Sequence, residues 1–309
     1  MILCLGTTPA AQRVMVFSRL NLDAVNRAIQ TLDGAAGKSI NTAKVLRALG
    51  ERPLAVGFLG GPTGAYIRAT LERLEVEMDF VAVEPPTRQC ITVIDSATGT
   101  HTELVEESAP VPPQAYEQLL EVVRRRIGQC RAAVMSGTIP RGGPADFYAI
   151  CVRLAHEANA LTAVDAQGLP LRQALAAKPG LVKPNRAELA ATVGRDLPDL
   201  ASVQDAMREL CDLGAQRVVV TAGSEPTLAF DGRHFWRVTS PALHPANPIG
   251  SGDSFTAALV WRCLRGDDLG EACRWGQAAG AANAMTLMPG DLKAADVERL
   301  ARNIVVEPL

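Results

Sequence analysis

The chain has no strong charge of either sign, no membrane-length apolar run and no ordered grouping of cysteine or histidine. Each absence removes a class of function. Its formal charge is −2 over 309 residues, so the molecule as a whole exerts no pull on nucleic acid or an acidic membrane, and neither is expected as a partner. The N-terminal "MILCLGTTPAAQ" lacks a basic n-region and its apolar run is too short for a signal peptide; no later stretch reaches the roughly 18 uninterrupted apolar residues of a membrane span. A cytoplasmic protein is the expectation. Seven cysteines, at 4, 90, 130, 151, 211, 263 and 273, are odd in number and scattered without a Cys-x-x-Cys pair, the pattern of reduced, mostly buried thiols. His101, His156, His234 and His244 show no metal-ligand spacing, so no structural zinc is expected. Repeats, low-complexity tracts and linkers are missing too, which predicts one α/β domain over 1–309 with a small excursion.

What is present is a regular rhythm. From Leu54 on, apolar runs of strand length such as "LAVGFLG", "AAVMSG" and "LTAVDA" alternate with amphipathic stretches such as "GAYIRATLERLEV" and "PADFYAICVRLAHEAN". Strands too continuously apolar to have one wet face predict a mostly parallel central sheet covered by helices on both sides. Two places break the rhythm: "QRVMVFSRL" near residues 12 to 20, and "QCITVIDSATGTHTELVEE" at 89 to 107, whose period-two halves flank the turn-like "SATGT". They predict a small added hairpin sheet, assigned to discontinuous segments at about 10–34 and 87–107.

In "NPIGSGDSF", Asn247 to Phe255, the Gly-Ser-Gly segment removes bulk and permits unusual backbone angles, so successive amide N–H groups can converge on one point. That point is also the positive end of the following helix, in which Phe255, Ala258, Leu259 and Cys263 recur at helical spacing. The stretch reads as an anion cradle with Asp253 at its edge. A plainer reading is a carboxylate favoured in a first turn, worth about 0.3 to 1 kcal/mol, but that alone does not call for three small residues ahead of it.

Upstream, "GAAGKSINTAKVLRALGERPLAVGFLGGPTG" sets Gly37, Lys38 and Asn41 at a loop-to-helix entry. Together the two stretches resemble the two signatures of the ribokinase-like (PfkB) carbohydrate kinase superfamily. Asn41, Ala43, Gly50 and Gly60 fall at the spacing of the first, with Ser39 where Gly or Ala is usual, and "NPIGSGDSFTAALV" matches the second. Further segments, among them "SGTIPRGGPADFYA", "VDAQGLPLRQAL", "LVKPNRAEL" and "VVVTAGSEPTLAF", are similar to the branch of 1-phosphofructokinases and tagatose-6-phosphate kinases. The resemblance covers essentially the whole chain. It implies a three-layer α/β/α ribokinase-like fold with a small β-sheet lid over the sugar, and lids that pair in homodimers. It also implies transfer of the γ-phosphate of ATP, with Mg²⁺, to a hydroxyl of a hexose phosphate of the fructose 1-phosphate or tagatose 6-phosphate type.

The same resemblance assigns roles. Asp253 is the base at the acceptor hydroxyl, and the N–H groups of Gly250, Ser251, Gly252 and Asp253 hold the charge developing on the transferred phosphate. Lys183, Asn185 and Glu188 in "KPNRAE" line the nucleotide phosphates, with Asn185 and Glu188 holding Mg²⁺ through water. Alternatively Asn185 caps a helix starting at Arg186 with Glu188 as its capping partner, and the two roles are compatible. Thr221 and Gly223 would lie beside the nucleotide at a strand end. Asn283 either flanks the adenine or is a polar residue on a helix surface. On the acceptor side, Gly37, Lys38, Asn41, Arg88 and Ser136 would meet sugar hydroxyls or the existing phosphate, although Lys38 and Arg88 also suit ordinary solvated positions.

The family's Thr-x-Asn-Pro-x-x-Asp pattern, whose Asp binds sugar hydroxyls, is here "TTPAAQ", with Thr8 for Asn and Gln12 for Asp. A carboxamide adds donors where the carboxylate only accepted, so Gln12 leaves the sugar open while the machinery around Asp253 is untouched. A kinase of an unphosphorylated sugar or nucleoside, and a non-catalytic sugar-phosphate sensor, therefore stand as alternatives. A dehydrogenase does not, because "GFLGGPTG" lacks the G-x-G-x-x-G spacing.

Overall fold

The computed structural model describes all 309 residues. The chain enters as β1 (Ile2–Gly6), leaves the main layer for β2 (Ala10–Phe17) and β3 (Gln30–Ala36), and returns through α1 (Lys38–Ala48) to β4 (Pro53–Leu59). Next come α2 (Gly61–Arg73) and the two-residue strands β5 (Glu77–Met78) and β6 (Val81–Ala82), then a second excursion, β7 (Gln89–Asp95) and β8 (Thr100–Val105). Helix and strand then alternate: α3 (Pro113–Ile127), β9 (Ala132–Ser136), α4 (Phe147–Glu157), β10 (Leu161–Asp165), α5 (Gly168–Leu175), β11 (Leu181–Val182), α6 (Arg186–Val193) and α7 (Leu200–Asp212). An antiparallel meander of β12 (Val218–Ala222), β13 (Glu225–Phe230) and β14 (Phe235–Thr239) precedes α8 (Ser251–Cys263), α9 (Leu269–Ala284), α10 (Ala294–Ala301) and β15 (Val305–Pro308).

Strands without a wet face end up buried on both sides. In β1, Leu3 and Leu5 pack into one core while Ile2 and Cys4 pack into the other. Helices α3 to α7 cover the first face, and α1, α2, α8, α9 and α10 cover the second. The eleven-stranded sheet runs β15-β14-β13-β12-β11-β10-β9-β1-β4-β5, with β6 also on β4; from β12 to β5 the pairs are parallel. This is the three-layer α/β/α arrangement expected. Strand order reverses at β1, so the carboxyl ends beside it form a natural crevice for a ligand.

The second sheet, β3-β2-β7-β8, is the lid. β2 and β7 run parallel in it, and each pairs outward with an antiparallel partner. Its register aligns Gln12 with Cys90, Val14 with Thr92 and Val16 with Ile94, and continues to Val105, Glu103 and His101 of β8. This face looks inward: Val14, Val16 and Ile94 enclose Met288, and His101 Nε2 lies 2.9 Å from the Ala246 carbonyl. The outward face carries the half-buried Met15, Ile91 and Val93 and the exposed Leu104. No helix is long and apolar enough to cross a membrane.

Candidate active site

The carboxyl ends of the central strands and the inner lid face enclose a cleft of about 340 Å³. Helix α8 starts at its floor. Gly250 caps it with φ +82°, and a Cβ there would approach Pro289 to 2.8 Å, so the turn requires glycine. The turn leaves the N–H groups of Gly250, Gly252 and Asp253 without an acceptor in the chain, whereas the Ser251 N–H donates to the Pro248 carbonyl at 3.2 Å. Three of the four expected donors are thus free. Asp253 is buried, and its Oδ2 accepts from Asn41 Nδ2 at 2.8 Å. Burial pushes this carboxyl up to about 7, with Lys38, the Asn41 hydrogen bond and Lys183 pulling it down and Asp165 pushing it further up. A carboxyl poised near neutrality beside unpaired N–H groups suits proton acceptance next to a developing anion.

A buried charge cluster stands against this floor. Asp165, the last residue of β10, takes Lys38 Nζ on Oδ1 at 2.8 Å, and Lys183 Nζ at 3.0 Å and Thr256 Oγ1 at 2.9 Å on Oδ2. Burial would raise Asp165, but the two lysines outweigh it and hold the carboxyl far below the usual carboxylate range. Burial likewise opposes the charge of Lys38, and Asp165, Glu188 and Asp253 together keep it firmly protonated. Lys38 Nζ also reaches Glu188 Oε1 at 3.2 Å. The other Glu188 oxygen accepts from the Asn185 N–H while Asn185 Oδ1 accepts from the Glu188 N–H, both at 2.8 Å, a complete capping box on α6. No group of three or more His, Cys, Asp or Glu side chains gathers to cage a metal. With both Glu188 oxygens engaged, these donors fit Mg²⁺ as an ion that arrives with nucleotide oxygens and keeps its waters.

The cleft brings together most of the residues singled out from sequence. The lid side supplies Gln12 and Arg88, α1 and its entry supply Gly37, Lys38 and Asn41, the strand ends supply Lys183, Asn185, Glu188 and Thr221, and the α8 turn supplies Gly250, Gly252 and Asp253. Gln12 is buried, its Nε2 donating to Thr92 Oγ1 at 2.9 Å. Arg88 is anchored, with Nη1 donating to the Glu106 carbonyl at 3.2 Å and Nη2 to the Thr8 carbonyl at 3.1 Å. Lys38, placed by sequence among the acceptor contacts, lines the cleft with its ammonium held by the buried Asp165 and the half-buried Glu188.

Four residues lie outside the cleft walls, among them Ser251, whose hydroxyl accepts from Asn283 Nδ2 at 3.2 Å. Ser136 is buried with its hydroxyl unpartnered, and Gly223 sits exposed at the β12–β13 turn. Asn283 corrects the expectation of a helix-surface residue. It is 0% exposed, and its Nδ2 donates to the Ile249 carbonyl at 2.9 Å and to Ser251 Oγ at 3.2 Å, while its Oδ1 accepts from the Gly290 N–H at 2.7 Å. It braces the α8 turn from behind. Conversely, Asp165 and Glu103 line the cleft and were not singled out from sequence. An aspartate closing the apolar strand "LTAVD" was the readable signal for Asp165; nothing local marks Glu103.

A buried carboxylate at a helix start, unpaired main-chain N–H groups and two tethered lysines at the carboxyl ends of a parallel sheet are parts that phosphoryl transfer to a small hydroxylated molecule would use. The model of the pfkB family of carbohydrate kinases matches residues 1–288, and the chain belongs to that family. Tagatose-6-phosphate kinase of Staphylococcus epidermidis is 31% identical over 309 residues, covering 99% of each chain. Phosphofructokinase-2 of Escherichia coli, solved with fructose-6-phosphate, is 26% identical, covers 97% of both chains and superposes with a TM-score of 0.85. A possible 1-phosphofructokinase of Thermotoga maritima, 23% identical over 100% of this chain and 99% of its own, shares the fold with a TM-score of 0.93. The protein is a carbohydrate kinase, and the sensor reading gives way to an enzyme.

Proposed function

We propose that the enzyme transfers the γ-phosphate of ATP to a hydroxyl of a hexose phosphate, of the fructose 1-phosphate or tagatose 6-phosphate type, with Asp253 as base. The observation that carries this reading is the pairing of Asp253 with the unpaired N–H groups of its own helix turn. Asn41 holds Asp253 by Oδ2 and leaves Oδ1 for the acceptor proton. The free N–H groups of Gly250, Gly252 and Asp253 receive the charge that builds on the phosphoryl oxygens. Lys38 and Lys183, fixed on Asp165, supply positive field toward the phosphates. Asn185 and Glu188 would meet Mg²⁺ through water; the ion would neutralise phosphate charge. The names of the relatives support the acceptor class. The partly apolar outward lid face supports pairing into a homodimer.

The test is a coupled assay with MgATP over phosphorylated and free ketoses. Turnover of a hexose phosphate is expected, and Asp253→Asn lowers kcat by about 10² to 10⁴ with KM for ATP within about twofold. Undiminished activity in that variant would sink the assignment of the base. One observation favours a second reading, a kinase of an unphosphorylated sugar: Glu103 places a carboxylate in the cleft while Lys38 is committed elsewhere and Arg88 is anchored to carbonyls. A kcat/KM for free ketoses above that for their phosphates selects it.

A further inference from the structure

The end of α9 and the connection that follows it, "NAMTLMPGD" from Asn283 to Asp291, touch both the lid and the α8 turn within a few residues. Met288 is plugged into the inner lid face among Val14, Val16 and Ile94, and its Sδ lies 2.9 Å from where a Cβ on Gly34 would sit. The next residue, Pro289, closes on Gly250, the left-handed cap of α8. Gly290 then packs against the backbone of Asn41, the residue that orients Asp253, and donates to Asn283 Oδ1. Asn247 Nδ2 donates to the Leu287 carbonyl at 2.7 Å, tying the start of the anion turn to the same segment. Lys44 of α1, buried and lowered by that burial against the pull of Asp291, clamps the far end through the Pro289 carbonyl and Asp291, the latter at 3.0 Å.

We infer that residues 283–291 form a strut that sets the α8 anion turn according to the seat of the lid, with Met288 as the lid contact and Asn283 as a positioning residue. Neither side chain lines the cleft, so neither touches substrate. The inference deepens the proposed function and rests on it for its catalytic meaning. Filling of the sugar end, which the lid walls with Gln12 and Arg88, would be felt at Gly250 through Met288 and Pro289. A turn aligned only when the lid is seated would also limit transfer of phosphate to water.

Coupling of this kind is reciprocal, so it can be read from both ends. Amide hydrogen exchange is followed by mass spectrometry on the full-length protein, with and without MgATP, for wild type, Met288→Ala, Met288→Leu and Asn283→Ala. Met288→Ala should speed exchange in peptides covering 247–254 by about tenfold, beyond its effect on the lid itself, while Met288→Leu, which keeps the plug, stays near wild type. Asn283→Ala should in turn speed exchange in lid strands β2 and β7. An undisturbed 247–254 region in Met288→Ala, or an undisturbed lid in Asn283→Ala, overturns the strut. In steady-state assays Asn283→Ala should lower kcat about 10- to 100-fold with KM for ATP within about twofold. A raised KM for ATP with kcat intact would make Asn283 a nucleotide contact instead. Failure of the wild type to phosphorylate any hexose phosphate would remove the proposed acceptor, and the exchange result would still decide the strut.

Discussion

At the scale of single residues, Asp253 puts activity and stability in opposition. Its carboxyl is lifted to about 7 by burial, and a base works only when deprotonated, so kcat/KM should fall about tenfold per pH unit below that value. A profile flat from pH 5 to 8 would exclude Asp253 as the base. The sign for stability is the reverse. A folded-state value raised above the unfolded one favours the protonated form, so this group's contribution is fully present below the ordinary aspartate range and is lost as pH rises through about 7. Asp253→Asn should therefore raise Tm at pH 8, with the gain shrinking toward pH 4, in parallel melts of the two proteins. The residues here were unequally legible. "GSGD" announces its chemistry because glycine and aspartate have few other reasons to stand together before a helix. Asn283 did not, since the groups of the α8 turn that it braces, the Ile249 carbonyl and the Ser251 hydroxyl, lie 34 and 32 positions away.

Among elements, the α6 terminus and the α8 turn show why some of the site could be read and some could not. Asn185 and Glu188 form a cap whose two halves lie three residues apart, so sequence alone exposes the pairing. The Lys38–Asp165 pair joins α1 to β10 across 127 positions, and only the sheet order brings it together. These two contacts predict different losses. Asn185→Ala should cost about 1 kcal/mol of stability through the cap and raise KM for ATP without a matching fall in kcat. Asp165→Asn leaves Lys183 buried at 4% side-chain exposure beside a group that no longer carries charge, and should cost about 3 to 5 kcal/mol in denaturant melts. A near-neutral Asp165→Asn would mean that the lysines find other partners and that the cluster is not an electrostatic unit.

For the molecule as a whole, the three layers were legible because every central strand is apolar on both faces, a demand that only helices on either side can meet. The lid was legible as alternation in "QCITVID" and "HTELV", but its pairing of β2 with β7 was not, since parallel register leaves no turn in the sequence to mark it. The outward lid face carries the assembly prediction: Leu104, 54% exposed, placed with Ile91 and Val93 on a shared surface, should when changed to Glu shift the proposed homodimer to monomer in sedimentation, and a mass the same as that of the wild type would remove the lid as its interface. That same parallel pairing has a consequence in time. Ala11 lies opposite Gln89, and α1, β4 and α2 of the main layer intervene, so this pair cannot close as a local hairpin and must wait for the main sheet to draw its ends together. During refolding, far-ultraviolet signal should return before the ability to bind acceptor, and during synthesis the N-terminal hairpin emerges well ahead of the strand it needs. The roof of the cleft is assembled last, over a floor already laid.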